Sequence, residues 1–181
     1  MKEFVLKLAR RAVEEFAKTG KRIEIPKERP KEADEKRGVF VTLFKKGELR
    51  GCIGFPYPEK TMVENIVDAS RLVCQDPRFE PLRKEELKDI RIEVSILTEP
   101  KLIETKPEDY EKEIELGKDG LIIRSSMFSG LFLPQVPIEQ KWNLEEYLEN
   151  LCYKAGLHGD AWKDSSSKLY KFQAIVFSEG I

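Results

Sequence analysis

Val39-Phe40-Val41-Thr42-Leu43-Phe44, then Lys45-Lys46-Gly47-Glu48, then Leu49-Arg50-Gly51-Cys52-Ile53 is the stretch whose reading decides the fold. β-branched and aromatic residues from Val39 to Phe44 favour extended backbone. Apolar side chains on both faces, Thr42 apart, place that strand inside a sheet. Lys45 to Glu48 is a polar turn in which Gly47 can take a positive φ. Leu49 to Ile53 then returns as the antiparallel partner, and Pro56 and Pro58 end it.

Upstream of this hairpin, Val5, Leu8, Ala9, Ala12, Val13 and Phe16 recur at helical spacing, and Thr19-Gly20 supplies a stop. From Pro26 to Lys36 the chain is charged and twice broken by proline, which reads as a linker or exposed loop. Downstream, Thr61 with Glu64 forms a capping-box pattern ahead of Val63, Ile66, Val67, Ser70 and Val73, with Pro77 closing the helix. Ile90 to Leu97 alternates as a half-buried strand. Gly117 to Gly120 is a tight turn before a strand at Leu121 to Arg124, and Leu131 to Leu133 reads as a further short strand. Asn143 with Glu146 caps a second helix carrying Leu144, Tyr147, Leu148, Leu151 and Cys152, stopped at Gly156. Leu169 to Phe177 reads as one last strand. Strands and helices do not alternate in crossover fashion. The fold class is therefore α+β, antiparallel sheets with flanking helices, in a single domain over residues 1–181.

The 32 Lys and Arg residues against 33 Asp and Glu leave a net charge of -1, with both signs mixed along the chain. That balance disfavours nucleic acid as a partner. Heavy Glu and Lys use fits a thermophile source. No apolar run reaches the roughly 20 residues that span a bilayer, and no signal peptide is visible. Three scattered cysteines, Cys52, Cys74 and Cys152, read as free thiols in a reducing cytoplasm. With one histidine and no paired cysteine spacing, no zinc site of the usual kind is expected. Neither a Walker A loop nor a G-x-G-x-x-G turn is present, and no cofactor is implied.

Strand alternation puts Arg50, Cys52 and Gly54 on one face, with the Cα atoms of Arg50 and Cys52 about 6.5 Å apart. A guanidinium at Arg50 could then stabilise a Cys52 thiolate, the reactive form of the side chain. Gly51 and Gly54 leave room for a ligand or another backbone to approach. The alternative is structural: free cysteine is commonly buried, and glycine also marks a bulge or a close helix. A thiol nucleophile wants a base, and the only histidine, His158, lies in the loop Leu157 to Asp160. Asp76 and Arg78 at a helix end could line a site or merely serve the turn. Gln135 could hydrogen-bond a ligand and Trp142 could form a pocket wall, or Trp142 could anchor the helix that follows.

These segments together resemble the AMMECR-domain family. Leu49-Arg50-Gly51-Cys52-Ile53-Gly54 is similar to its hallmark LRGCIG stretch. Gly38 to Leu43, Asp76 to Leu82, Glu93 to Leu97, Gly117 to Leu121, Phe132 to Val136, Trp142 and Lys154 to Leu157 continue the likeness in order. The resemblance implies two unequal lobes, each on an antiparallel sheet, with the LRGCIG residues facing a cleft between them. It implies no established activity. It suggests a modification pathway shared with Memo-type and radical-SAM proteins. Members commonly read Lys-Ala-Gly-Leu-Pro-Pro where this chain has Leu157-His158-Gly159, so His158 falls outside the motif, which argues against a Cys52–His158 pair. The expectation is an enzyme or enzyme subunit acting on a large substrate. Cys52 and Arg50 would be the catalytic candidates, and Gly51, Gly54, Asp76, Arg78, Gln135 and Trp142 the substrate-binding ones. The alternative is a non-catalytic adaptor that binds a protein segment.

Overall fold

The computed structural model describes residues 1–180, and they form two compact units. The first holds Met1–Leu97 and residues 175–180; the second holds Thr98–Ala174.

In the first unit the amphipathic N-terminal segment is helix α1 (Lys2–Thr19), ended by Gly20 in the left-handed conformation, φ 71°. The hairpin forms as expected: β1 (Val39–Lys45) turns through Lys46 and Gly47 into β2 (Glu48–Phe55). Helix α2 (Met62–Val73) starts at the full capping box of Thr61 and Glu64. Strand β3 (Ile90–Leu97) pairs with β1, and the sheet order is β2-β1-β3-β8, with β8 (Ala174–Ser178) at the far edge. Val39, Val41, Leu43, Ile92, Val94 and Ile96 form one face of this sheet and share a core with the apolar stripes of α1 and α2. Their neighbours in register, Phe40, Thr42, Cys52, Gly54 and Glu93, lie on the opposite face.

The second unit is built on the sheet β4-β7-β5-β6. Its strands are β4 (Lys101–Leu102), β5 (Gly120–Ser125), β6 (Phe128–Phe132) and β7 (Ser167–Phe172). The short helices α3 (Tyr110–Glu113) and α4 (Val136–Glu139) and the longer α5 (Leu144–Lys154), capped by Asn143 and Glu146, complete it. Tyr147, Leu148, Leu151 and Cys152 of α5 pack on Leu121 and Ile123 of β5. Both sheets are antiparallel, so the fold is α+β.

Three expectations need correction. Pro26 to Lys36 is not wholly irregular: Lys31–Asp34 makes a 3-10 turn that buries Ala33, and Lys36 bridges to Thr61. Pro77 does not close α2, which already ends at Val73. The stretch from Leu169 to Phe177 is two strands in two different sheets. It breaks at Gln173, whose backbone N–H donates to Thr98 Oγ1 (2.8 Å) and whose amide donates to Asp119 Oδ1 (3.1 Å).

The α2 cap gives a direct test. Thr61 Oγ1 accepts the N–H of Glu64, and Glu64 Oε2 accepts the N–H of Thr61 at 2.9 Å. Thr61→Ala is expected to cost about 1 kcal/mol, read as a lower urea midpoint at unchanged m-value.

Candidate functional site

The hallmark stretch is β2, an edge strand, and its geometry departs from simple alternation at one point. Leu43 stands opposite Gly51 while Phe44 stands opposite Leu49, so Arg50 is the extra residue of a β-bulge. The bulge re-aims Arg50. Its guanidinium makes a double hydrogen bond to Glu86 (3.1 Å from each carboxylate oxygen) and donates to the carbonyl of Glu80 at 2.9 Å. Lys45 reaches the same carboxylate at 2.8 Å. The Arg50 guanidinium, the Arg83 N–H and Lys45 hold the Glu86 carboxyl down at about 2.

Cys52 is half-buried, whereas Cys74 and Cys152 are buried. Its Sγ accepts a hydrogen bond from Thr42 Oγ1, directly across the strand pair, at 3.3 Å. Burial pushes the Cys52 thiol up. The Thr42 hydroxyl and the charge of Arg78 pull it back, while the carboxylates of Asp76 and Glu93 push it further up. The guanidinium beside Cys52 therefore belongs to Arg78, not to Arg50 as strand alternation suggests. Cys74, deeper still, is pushed up to about 12 by burial.

The turn after α2 closes the edge of β2. Asp76 accepts the backbone N–H of Cys52 at 2.9 Å, and Arg78 donates to the Cys52 carbonyl at 3.2 Å. One residue of the edge strand thus gets, from two side chains, the pair of backbone hydrogen bonds that a neighbouring strand would give it. Asp76 also accepts from the Arg78 backbone N–H (3.0 Å), Nε (3.0 Å) and Nη2 (2.7 Å). These donors, the Arg78 guanidinium foremost, hold its carboxyl at about 2 against burial. The turn role expected of Asp76 and Arg78 is present, and the same turn brings both side chains to the Cys52 backbone.

The room at the two glycines is filled by the protein itself. A Cβ at Gly51 would stand 3.0 Å from the Val73 carbonyl oxygen, at the end of α2. At Gly54 it would stand 2.4 Å from both the Phe40 ring and the Val39 carbonyl oxygen. Both are places of close approach, to a helix end and to a cross-strand ring, rather than gaps for a ligand.

Two polar residues escaped the sequence reading, Thr42 and Glu93. They face each other in the β1–β3 register on the Cys52 side of the sheet. Glu93 Oε2 accepts from Ser178 Oγ at 2.6 Å, and Arg91 Nη1 donates to the same hydroxyl at 2.8 Å. A polar row, Cys52–Thr42–Glu93–Ser178, thus crosses all four strands. The signal was present in outline, since Thr42 is the single polar residue between Val39 and Phe44.

Gln135 and Trp142 lie in the second unit. Gln135 is exposed, and its carbonyl accepts the N–H groups of Ile138 and Glu139 at the start of α4. Trp142 stacks at a tilt on Phe132, ring centroids 5.5 Å apart, and packs on the second core as an anchor before α5. His158 Nε2 lies 3.0 Å from Asp164 Oδ2. Among the described residues no cluster of three or more His, Cys, Asp or Glu could hold a metal ion. No helix there is long and apolar enough to cross a membrane.

The chain is similar along almost its whole length to archaeal proteins. Protein PYRAB00100 of Pyrococcus abyssi is 51% identical over 98% of this chain and 89% of its own length. A protein of Methanothermobacter thermautotrophicus is 45% identical over 97% of this chain and 92% of its own length. The crystal structure of the uncharacterized protein PH0010 from Pyrococcus horikoshii superimposes with a TM-score of 0.87 at 50% identity, covering 98% of this chain and 90% of that one. The relatives come from thermophilic archaea, in keeping with the Glu- and Lys-rich composition. The AMMECR1 profile matches residues 6–177, and the chain belongs to the AMMECR1 family.

Proposed function

We propose that the chain is an enzyme, or a subunit of one, acting on a large substrate at the Cys52 face of the first sheet. The observation that carries this reading is the setting of Cys52: the one cysteine of three that is not buried, with a hydroxyl donor, a guanidinium and two carboxylates acting on its thiol. Its raised pKa means the sulfur rests as a neutral thiol. It serves either as a neutral thiol ligand or as a nucleophile that loses its proton once substrate is bound. Arg78 supplies the charge that a thiolate needs. Arg50, tied to Glu86, shapes the loop that carries Asp76 and Arg78. Memo-type and radical-SAM proteins are the partners suggested by the family resemblance.

Alkylation of each cysteine against pH, followed by mass spectrometry on the folded protein, tests this. Cys52 should react faster than Cys74 and Cys152, with a midpoint above the ordinary thiol value of about 8.5. Arg78→Gln should slow its reaction at pH 8 several-fold, because the thiolate loses its nearest positive charge. Cys52→Ala should abolish function in a genetic complementation assay.

The second reading is a non-catalytic adaptor. It is favoured by the raised Cys52 pKa and by the Asp76–Arg78 clamp, which is also an edge-protection device. Cys52 as inert as the two buried cysteines, or full complementation by Cys52→Ala, would move it to first place.

A further inference from the structure

The second unit holds an open groove of about 460 Å³ between the start of α3 and the start of α5. Its apolar wall is Tyr110, Leu148 and Trp162, with the Tyr110 and Trp162 rings 6.0 Å apart. Its rim carries Glu108, Glu111 and Glu145, and the cation beside it is Lys163, which is held by Asp160 at 3.0 Å and lies 3.9 Å from Glu145. In a chain with 32 cations against 33 anions, a groove whose charged lining residues are all carboxylates stands out from the mixed surface. Glu108 and Glu111 are exposed and have no ion-pair partner among the described residues.

Two further observations are independent of the charge. The Trp162 indole Nε1 is shielded from solvent and finds no acceptor, so the residue that walls the groove carries an unused hydrogen-bond donor just beneath the surface. An ammonium group already stands at the rim: Lys163 Nζ lies 4.7 Å from the Trp162 ring centroid and 3.9 Å from Glu145 Oε1. Aromatic face and carboxylate together suit a cation. An idle indole N–H suits a carbonyl oxygen.

We propose that this groove binds a lysine- or arginine-bearing segment of a partner protein. The cationic side chain sits among Glu108, Glu111 and Glu145, the aliphatic stem lies on Tyr110 and Leu148, and a backbone carbonyl accepts from Trp162 Nε1 after a small shift of the wall. A peptide offers all three groups at once; a simple amine offers only the first. The site lies wholly in the second unit and does not depend on the role of Cys52.

The test follows the Trp162 indole resonance by NMR, assigned through Trp162→Phe, in the full chain titrated with acetylated tetralysine amide. Expected is a saturable downfield shift of the indole proton that weakens between low and physiological salt. Glu108→Lys with Glu111→Lys should weaken binding by about tenfold or more. Both positions are exposed, and Glu108→Gln with Glu111→Gln serves if the charge reversal disturbs folding. The proposal is overturned by an unmoved indole resonance, by binding that survives both double variants, or by spermidine shifting the resonance as well as the peptide does.

Discussion

Gly54→Ala is expected to destabilise the chain by about 3 kcal/mol, at the upper end of what overpacking costs. The new Cβ would lie 2.4 Å from the Phe40 ring and 2.4 Å from the Val39 carbonyl oxygen. The ring can swing away, at the cost of its packing. The carbonyl is backbone within the β1–β2 pairing, where Val39 stands opposite Phe55 and Phe40 opposite Gly54. It can yield only by opening the ladder. Gly51→Ala meets the Val73 carbonyl oxygen and Cγ2 at 3.0 and 3.1 Å, a milder conflict at the end of a helix, and should cost less. Urea unfolding of both variants gives the ranking. A loss under about 1 kcal/mol for Gly54→Ala would show that the hairpin absorbs a methyl there, and that the glycine must then be explained by what approaches it from outside.

These two glycines mark how far a strand pattern reaches. That two glycines in a strand require a reason was legible from the residues alone. Which reason was not, because the answer lies with Val73 and Phe40, and a strand pattern does not say which helix end or ring comes near. The Arg50 error has a similar source. Alternation assumes an unbroken ladder, and the extra residue of the bulge leaves no mark in composition. The two capping boxes, by contrast, are local by nature: donor, acceptor and spacing all lie within four residues, and both formed as written. The split at Gln173 sits at the other extreme. Lys171 to Phe177 is uniformly strand-like, and only the distant partners Thr98 and Asp119 decide that the chain changes sheets there.

The polar row across the first sheet was half legible. Thr42 in an apolar strand and Glu93 in an alternating one are visible as exceptions. That they stand side by side follows only from the β1–β3 register. The same holds for Asp76. Its turn role could be inferred from Asp-Pro-Arg, but its second partner, the Cys52 peptide, is 24 residues upstream.

Asp76→Ala is therefore the variant expected to do most damage. The carboxylate is 1% exposed and accepts four hydrogen bonds, one from the Cys52 peptide and three from Arg78. Truncation leaves the edge N–H of Cys52 without its acceptor and the Arg78 guanidinium without its counter-ion, a loss of about 3 kcal/mol or more. Asp76→Asn keeps the shape and isolates the charge. A carboxyl held at about 2, against 3.8 when free, contributes stability that is complete above about pH 5 and is lost as pH falls through 2. That contribution is about 2 kcal/mol. Glu86 is also held down to about 2 and weakens the fold in the same range. It is present in both proteins, so it cancels in their difference. The stability gap between the parent chain and Asp76→Asn should be flat from pH 7 to pH 5 and close toward pH 2. A gap that stays constant to pH 2 would mean the charge of Asp76 stabilises nothing and only its hydrogen bonds count. The same variant separates the two functional readings. If Asp76 only protects the strand edge, Asp76→Asn should leave complementation intact wherever the fold survives; if it positions Cys52 and Arg78 for a substrate, function should fall well before stability does.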